Sequence, residues 1–137
     1  MGLASEAGAS LRPSIAPWLS VRNGAQAVEF YKSAFGATEV YRLEVPGGGI
    51  VVKLSVDGAE FWVSGESPDR ADLGPESLGG SSVRMILTVA DPDAVFTQAL
   101  NAGASQVFPV GEEHGWRLGR VVDPFGLNWE IGRPLLS

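Results

Sequence analysis

The chain contains no cysteine and a single histidine, His114. A disulfide framework and a zinc–thiolate centre are therefore excluded, and a histidine-rich metal site has too little to be built from. Positive charge is also scarce. Ten Lys and Arg face sixteen Asp and Glu, for a net charge of −6 and a pI near 4.7. That is the wrong sign for a nucleic-acid partner, whose phosphates want a basic face. No apolar run approaches the roughly 18–20 residues of a membrane span, so no membrane partner is expected. Residues 1–13, rich in Ala, Ser and Gly, lack the basic start and apolar stretch of a secretory signal and read as a flexible tail. Together with the missing cysteine they lead to the expectation of a cytoplasmic protein. What is present is ordinary for a globule: 137 residues, 45% hydrophobic and 19% charged, enough for one domain with a core.

The chain repeats itself. Ala16-Pro17-Trp18-Leu19-Ser20-Val21 and Arg84-Met85-Ile86-Leu87-Thr88-Val89 are both short strand-like apolar runs, 68 positions apart. Each is followed by a polar break, a helical pattern and Gly-Ala, at Gly36-Ala37 and Gly103-Ala104. In the first helix Asn23 is the expected N-cap, Val28, Tyr31 and Phe35 share a face, and Gly36 ends it. In the second, Asp91 caps, Pro92 takes the first helical position, and Asp93 sits where the helix dipole favours negative charge. Val95, Phe96, Ala99 and Leu100 form its apolar stripe. Strands are expected at 38–44, 50–56 and 59–64, and again at 106–110, 116–122 and 127–132. Asp57-Gly58 supplies the turn of a tight hairpin. The organisation is thus a tail (1–13), a first β-α-β-β-β module (14–64), a Pro- and Gly-bearing linker (65–81), a second module (82–132) and a C-terminal tail (133–137). The linker is long for a plain connector, and either covers a pocket or moves freely.

Two segments carry a resemblance. Phe30-Tyr31-Lys32-Ser33-Ala34-Phe35-Gly36-Ala37 is similar to the first-helix signature of the vicinal-oxygen-chelate superfamily (glyoxalase, bleomycin resistance and dioxygenase proteins), and in particular of its PhnB-like branch. The run from Gly115-Trp116-Arg117 through Asp123-Pro124-Phe125-Gly126 to Asn128-Trp129-Glu130-Ile131 resembles that branch's closing signature. The resemblance implies an α+β fold: two β-α-β-β-β modules curl their sheets into a half-barrel, with helices on the outer face. It also implies a homodimer with a pocket built from paired modules. One fold hosts isomerases, lyases, dioxygenases and pure binders, so it does not by itself fix a function.

The resemblance further implies four inward positions where relatives hold a metal. Here they are occupied by Ala16, Trp62, Arg84 and Glu130. Ala16 offers no donor, tryptophan only an N–H, and arginine a fixed positive charge. One carboxylate is too few for a divalent site, so neither a metal nor any other cofactor is expected. Arg84 beside Glu130 is expected to form a bidentate pair. It either braces the sheet or anchors a ligand. Because side chains alternate along a strand, Trp18 is expected to share the inward face of Ala16 and Glu60 that of Trp62, while the register implied by the resemblance turns Trp116 and Arg120 to the cavity and Trp129 is expected in the core. Three tryptophans together would wall a site for flat rings or cations, although each alone could equally be core packing. Glu60 could meet a cationic ligand or be a solvated rim residue.

The expected function is a metal-independent small-molecule binding protein that sequesters an aromatic or antibiotic-like ligand in a Trp-lined pocket. The expected ligand-binding set is Trp18, Glu60, Trp62, Arg84, Trp116, Arg120 and Glu130, with no catalytic residue. The alternative is a glyoxalase-like lyase or isomerase acting on an activated carbonyl, with Glu130 as base and Arg84 as electrophilic support. Failing both, the domain is a dimeric partner module with a filled cavity.

Overall fold

The computed structural model describes residues 11–47 and 49–136. The expected tail lies, up to residue 10, outside the described residues, as does Ser137. The first module comprises β1 (Trp18–Val21), α1 (Gly24–Phe35), β2 (Thr38–Glu44), β3 (Ile50–Val56) and β4 (Ala59–Gly65). A segment with a 3-10 turn (Pro68–Arg70) and one short helix, α2 (Pro75–Leu78), leads to the second module. This comprises β5 (Arg84–Thr88), α3 (Pro92–Ala102), β6 (Ser105–Glu113), β7 (Trp116–Val122) and β8 (Asn128–Pro134). The result is α+β, with two four-stranded sheets ordered β1-β4-β3-β2 and β5-β8-β7-β6. In each, the first strand pairs parallel to the last and the other pairings are antiparallel. The repeat in the sequence is thus a repeat of topology.

The local signals explain the helices. Asn23, in extended conformation, accepts from the Gln26 N–H at 3.0 Å, and Gly36 closes α1 at φ 68°. Such a cap is worth about 1 kcal/mol. Asp91 accepts from the Ala94 N–H at 3.1 Å, with Pro92 following it into α3. Asp57 (φ 50°) and Gly58 (φ 96°) turn the β3–β4 hairpin. The first strand begins two residues later than expected, so Ala16 is exposed and precedes β1. β6 is longer than expected, running to Glu113 with register shifts along its pairing with β7.

One face of each sheet is covered by its helix, and the covered faces merge into one core. Val28, Tyr31 and Phe35 of α1 are buried with Val52, Leu54, Phe61 and Val63 of the first sheet and Val121, Trp129 and Ile131 of the second. Phe35 packs on Trp129 at 4.7 Å between ring centroids, and Phe61 meets Trp129 at 5.5 Å. Burying each such ring contributes about 1.5–3 kcal/mol. Asp123 pins the junction. Its Oδ1 accepts from the N–H groups of Phe125 (2.9 Å) and Leu127 (3.0 Å). Its Oδ2 accepts from Tyr31 Oη (2.5 Å) and Trp129 Nε1 (2.9 Å). Burial drives the Asp123 carboxyl and the Tyr31 phenol above their ordinary values, and for tyrosine the neighbouring carboxylate adds to the rise.

Candidate functional site

With the helix-bearing faces buried, the opposite face of each sheet stays open. On the first sheet, strand register sets Trp18 opposite Trp62, Trp62 opposite Lys53, and Lys53 opposite Tyr41. One row thus crosses all four strands. Trp18 and Trp62 stack at 5.4 Å with 13° between their planes, and Tyr41 meets Trp62 edge-on at 5.8 Å. Trp18 Nε1 donates to Ser64 Oγ at 2.8 Å, which fixes its indole. Lys53 Nζ lies 5.2 Å from the Trp62 ring centroid and 3.0 Å from Glu60 Oε1. Trp18 remains 52% exposed although aromatic. A cavity of about 670 Å³ opens over this row, lined among others by Trp18, Trp62, Tyr41, Leu43, Arg70 and Asp72.

The second sheet repeats the row with different chemistry. Ile86 stands opposite Glu130, Glu130 opposite Arg120, and Arg120 opposite Phe108. Glu130 Oε2 accepts from Arg120 Nη2 at 3.0 Å and from Arg84 Nη1 at 3.1 Å. The Arg120 guanidinium lies over the Phe108 ring at 5.4 Å. Its Nε is buried without a hydrogen-bond partner. Beside this cluster is a smaller cavity, about 220 Å³, lined by Ile86, Trp116, Leu118, Glu130 and Gly132.

These positions refine the reading from sequence. Trp18, Glu60 and Trp62 share the first sheet's open face, Arg84, Trp116, Arg120 and Glu130 lie on the second sheet, and Trp129 is buried. The three outward tryptophans do not line one surface. Trp18 and Trp62 border one cavity and Trp116 another. Helix-bearing faces meet in the shared core, and a cavity of about 150 Å³ lined by Glu60 and Ile86 is where the two sheets adjoin. The expected bidentate Arg84–Glu130 pair is instead two guanidinium groups converging on one oxygen, because Arg120 is directly opposite Glu130 while Arg84 reaches it diagonally. Since Trp18 and Trp62 are stacked on each other, a flat ring can lie on the pair but not between its members.

Tyr41, Lys53, Ile86, Phe108 and Leu118 were missed from sequence. Pairing register, extended from Trp62 and Glu130, would have found the first four, and alternation between Trp116 and Arg120 would have found Leu118. The linker carries contacts of its own: Glu66 Oε2 accepts from the Gly74 N–H at 2.6 Å, and Ser67 bridges to Asp72. Leu73, Pro75, Leu78 and Gly80 share a further cavity with Trp18.

The four positions that the resemblance implies for a metal do not fit one here. Ala16 precedes the sheet, Trp62 is stacked, and Arg84 donates to Glu130, whose carboxylate already serves two cations. Among the described residues no three His, Cys, Asp or Glu side chains converge.

No family model matches the chain. An uncharacterised protein of Mycobacterium bovis is 37% identical over 131 residues, which cover 92% of this chain and 86% of that protein. The crystal structure of the Arabidopsis thaliana At5g48480 gene product is 34% identical, with a TM-score of 0.66, and covers 88% of this chain and 96% of its own. More distant in sequence is a glyoxylase/bleomycin resistance protein/dioxygenase domain from Frankia sp. EAN1pec (17% identity, TM-score 0.70, 91% and 99% covered). TnmS3, an antibiotic binding protein from Streptomyces sp. CB03234, is also 17% identical (TM-score 0.66, 90% and 98% covered). The chain belongs to the family of the mycobacterial and Arabidopsis proteins, and its fold is that of the glyoxalase/bleomycin resistance/dioxygenase superfamily.

Proposed function

We propose that the protein is a metal-independent small-molecule binder of the PhnB-like branch, which sequesters an aromatic, antibiotic-like ligand on the first sheet's open face. The observation that carries this is the row Trp18–Trp62–Lys53–Tyr41: two stacked indoles, an edge-on phenol and a cation, half-exposed over a large cavity. Exposed rings held rigid by stacking and by the Trp18–Ser64 hydrogen bond lose little freedom on binding a flat ligand. The kinship in fold with the antibiotic binding protein TnmS3, and with a fosfomycin resistance protein from Listeria monocytogenes, supports the same reading. The working form is a cytoplasmic homodimer whose open faces pair. Exposed Tyr41, Leu43 and Ile86 on those faces supply apolar surface for a second copy. The test is a titration with doxorubicin, read by tryptophan fluorescence, with sedimentation velocity alongside. Saturable quenching lost in Trp18→Ala and Trp62→Ala supports the reading. Unquenched fluorescence at millimolar ligand refutes it.

A second reading, a lyase or isomerase acting on an activated carbonyl, is favoured by one observation. Among the described residues Glu130 Oε1 has no hydrogen-bond partner, and two guanidinium groups stand beside it. On this reading Glu130 would act as the base and the guanidinium groups as electrophilic support. Turnover of the methylglyoxal–glutathione adduct, abolished by Glu130→Gln, would establish it.

A further inference from the structure

The cluster on the second sheet holds two positive charges and one negative. Arg84 and Arg120 both donate to Glu130 Oε2, and among the described residues neither has another acidic partner. A guanidinium carries five N–H donors in a rigid fork. Arg120 spends one of them on Glu130, lies over Phe108, and leaves its buried Nε unsatisfied. Arg84 spends one and is 55% exposed at its side chain. The arrangement is therefore short of one acceptor group, in charge and in hydrogen bonds alike. The space beside it is largely apolar, walled by Ile86, Trp116, Leu118 and Gly132 together with the Glu130 side chain. Arg120, whose side chain is only 23% exposed, is poorly hydrated, which strengthens its pull on an incoming counter-charge.

We infer that the second sheet binds small organic anions: the ligand's carboxylate or sulfonate completes the Arg84–Glu130–Arg120 cluster while its apolar body fills the cavity against Trp116. This rests on the reading of the protein as a small-molecule binder and adds a second subsite of opposite preference to the first. Glu130 then orients the two guanidinium groups and repels a ligand that brings its charge to the wrong end. The chain's net charge of −6 makes this patch of excess positive charge selective rather than general.

The experiment compares 2-naphthoate with 2-naphthamide, which share a ring system and differ in charge. Binding to the full chain is read from the four indole N–H resonances, assigned with single Trp→Phe variants. The expected result is a shift of the Trp116 resonance by naphthoate, with naphthamide at least tenfold weaker there. Arg120→Met and Arg84→Met should each reduce naphthoate affinity at Trp116 to that of the amide. Arg84→Met, altering a half-exposed side chain, keeps the test available should Arg120→Met not fold. Equal affinity of acid and amide at Trp116, unchanged affinity in the folded variants, or no Trp116 shift with either compound overturns the inference. Shifts of Trp18 and Trp62 by both compounds in the same spectra leave the aromatic-binding reading standing, so the two ideas fail separately.

Discussion

Replacing Asp123 with asparagine removes one acceptor from a buried junction without changing its shape. In the native protein two backbone N–H groups, the Tyr31 hydroxyl and the Trp129 indole all donate to this carboxylate. An amide oxygen in the Oδ1 position keeps both backbone donors. The NH2 then replaces Oδ2 and faces Tyr31 and Trp129. The tyrosine hydroxyl can turn and accept from it, but an indole N–H cannot accept. One buried donor is left unpaired, at a cost of about 1–3 kcal/mol. Asp123→Ala orphans all four donors and should cost more than about 4 kcal/mol, a large part of the roughly 5–15 kcal/mol available to a domain. Urea unfolding followed by circular dichroism measures both, from midpoints at unchanged slope. The decisive comparison is a double-mutant cycle. Trp129→Phe should cost clearly less in the Asp123→Asn background than in the native one, since the orphan is gone. An Asp123→Asn variant within about 0.5 kcal/mol of the native protein, or strict additivity in the cycle, would show that the junction is not held by this acceptor.

Acid titration of the same unfolding curves gives a signed prediction. Burial raises the Asp123 carboxyl above its ordinary 3.8. Its protonation therefore favours the folded state, and that contribution is complete below 3.8 and fades as pH climbs through the raised value. The stability gap between the native protein and Asp123→Asn should narrow over that rise, and a gap that widens would contradict it. Glu39 has the opposite sign. Arg42 and Lys32 hydrogen-bond it at 2.6–2.9 Å and hold it at about 2, so its contribution is present above 4.5 and lost as pH falls toward 2. Because the cluster is partly exposed, Glu39→Gln should cost less than about 1 kcal/mol at neutral pH and a smaller amount near pH 2. Gly74→Val should destabilise by about 1–3 kcal/mol and expose the linker to limited proteolysis, since its Cβ would stand 2.5 Å from the Ser20 carbonyl oxygen. Trp18→Ala should leave the urea midpoint nearly unchanged, as the side chain is half exposed, while ligand quenching disappears.

The architecture was legible because the signals were local and came twice. Asn23 and Asp91 as caps, Gly36 and Gly103 as stops, and Asp57-Gly58 as a hairpin each state a backbone conformation without reference to distant residues. Trp18 lies opposite Trp62 in the pairing of β1 with β4, and Trp116 and Arg120 share β7. What alternation cannot say is how two sheets are disposed, because that depends on how the helix-bearing faces pack. Phe35, Phe61 and Trp129 form one core, and this separates the two halves of the expected site. For the same reason Asp123 stands out in the sequence only as part of the closing signature. Its bond to Tyr31 spans 92 positions, a distance no local pattern reports.

The matching rows on the two sheets bear on how such a protein changes over generations. Lys53 and Arg120 occupy the same slot, each over an aromatic ring, while their neighbours have diverged to Trp18 and Trp62 in one copy and Ile86 and Glu130 in the other. All of these side chains project away from the shared core. On the proposed binding role, a mutation in either row would alter what is bound without spending the stability that Tyr31, Asp123 and Trp129 provide, and the duplication would leave one module free to drift while the other kept its ligand.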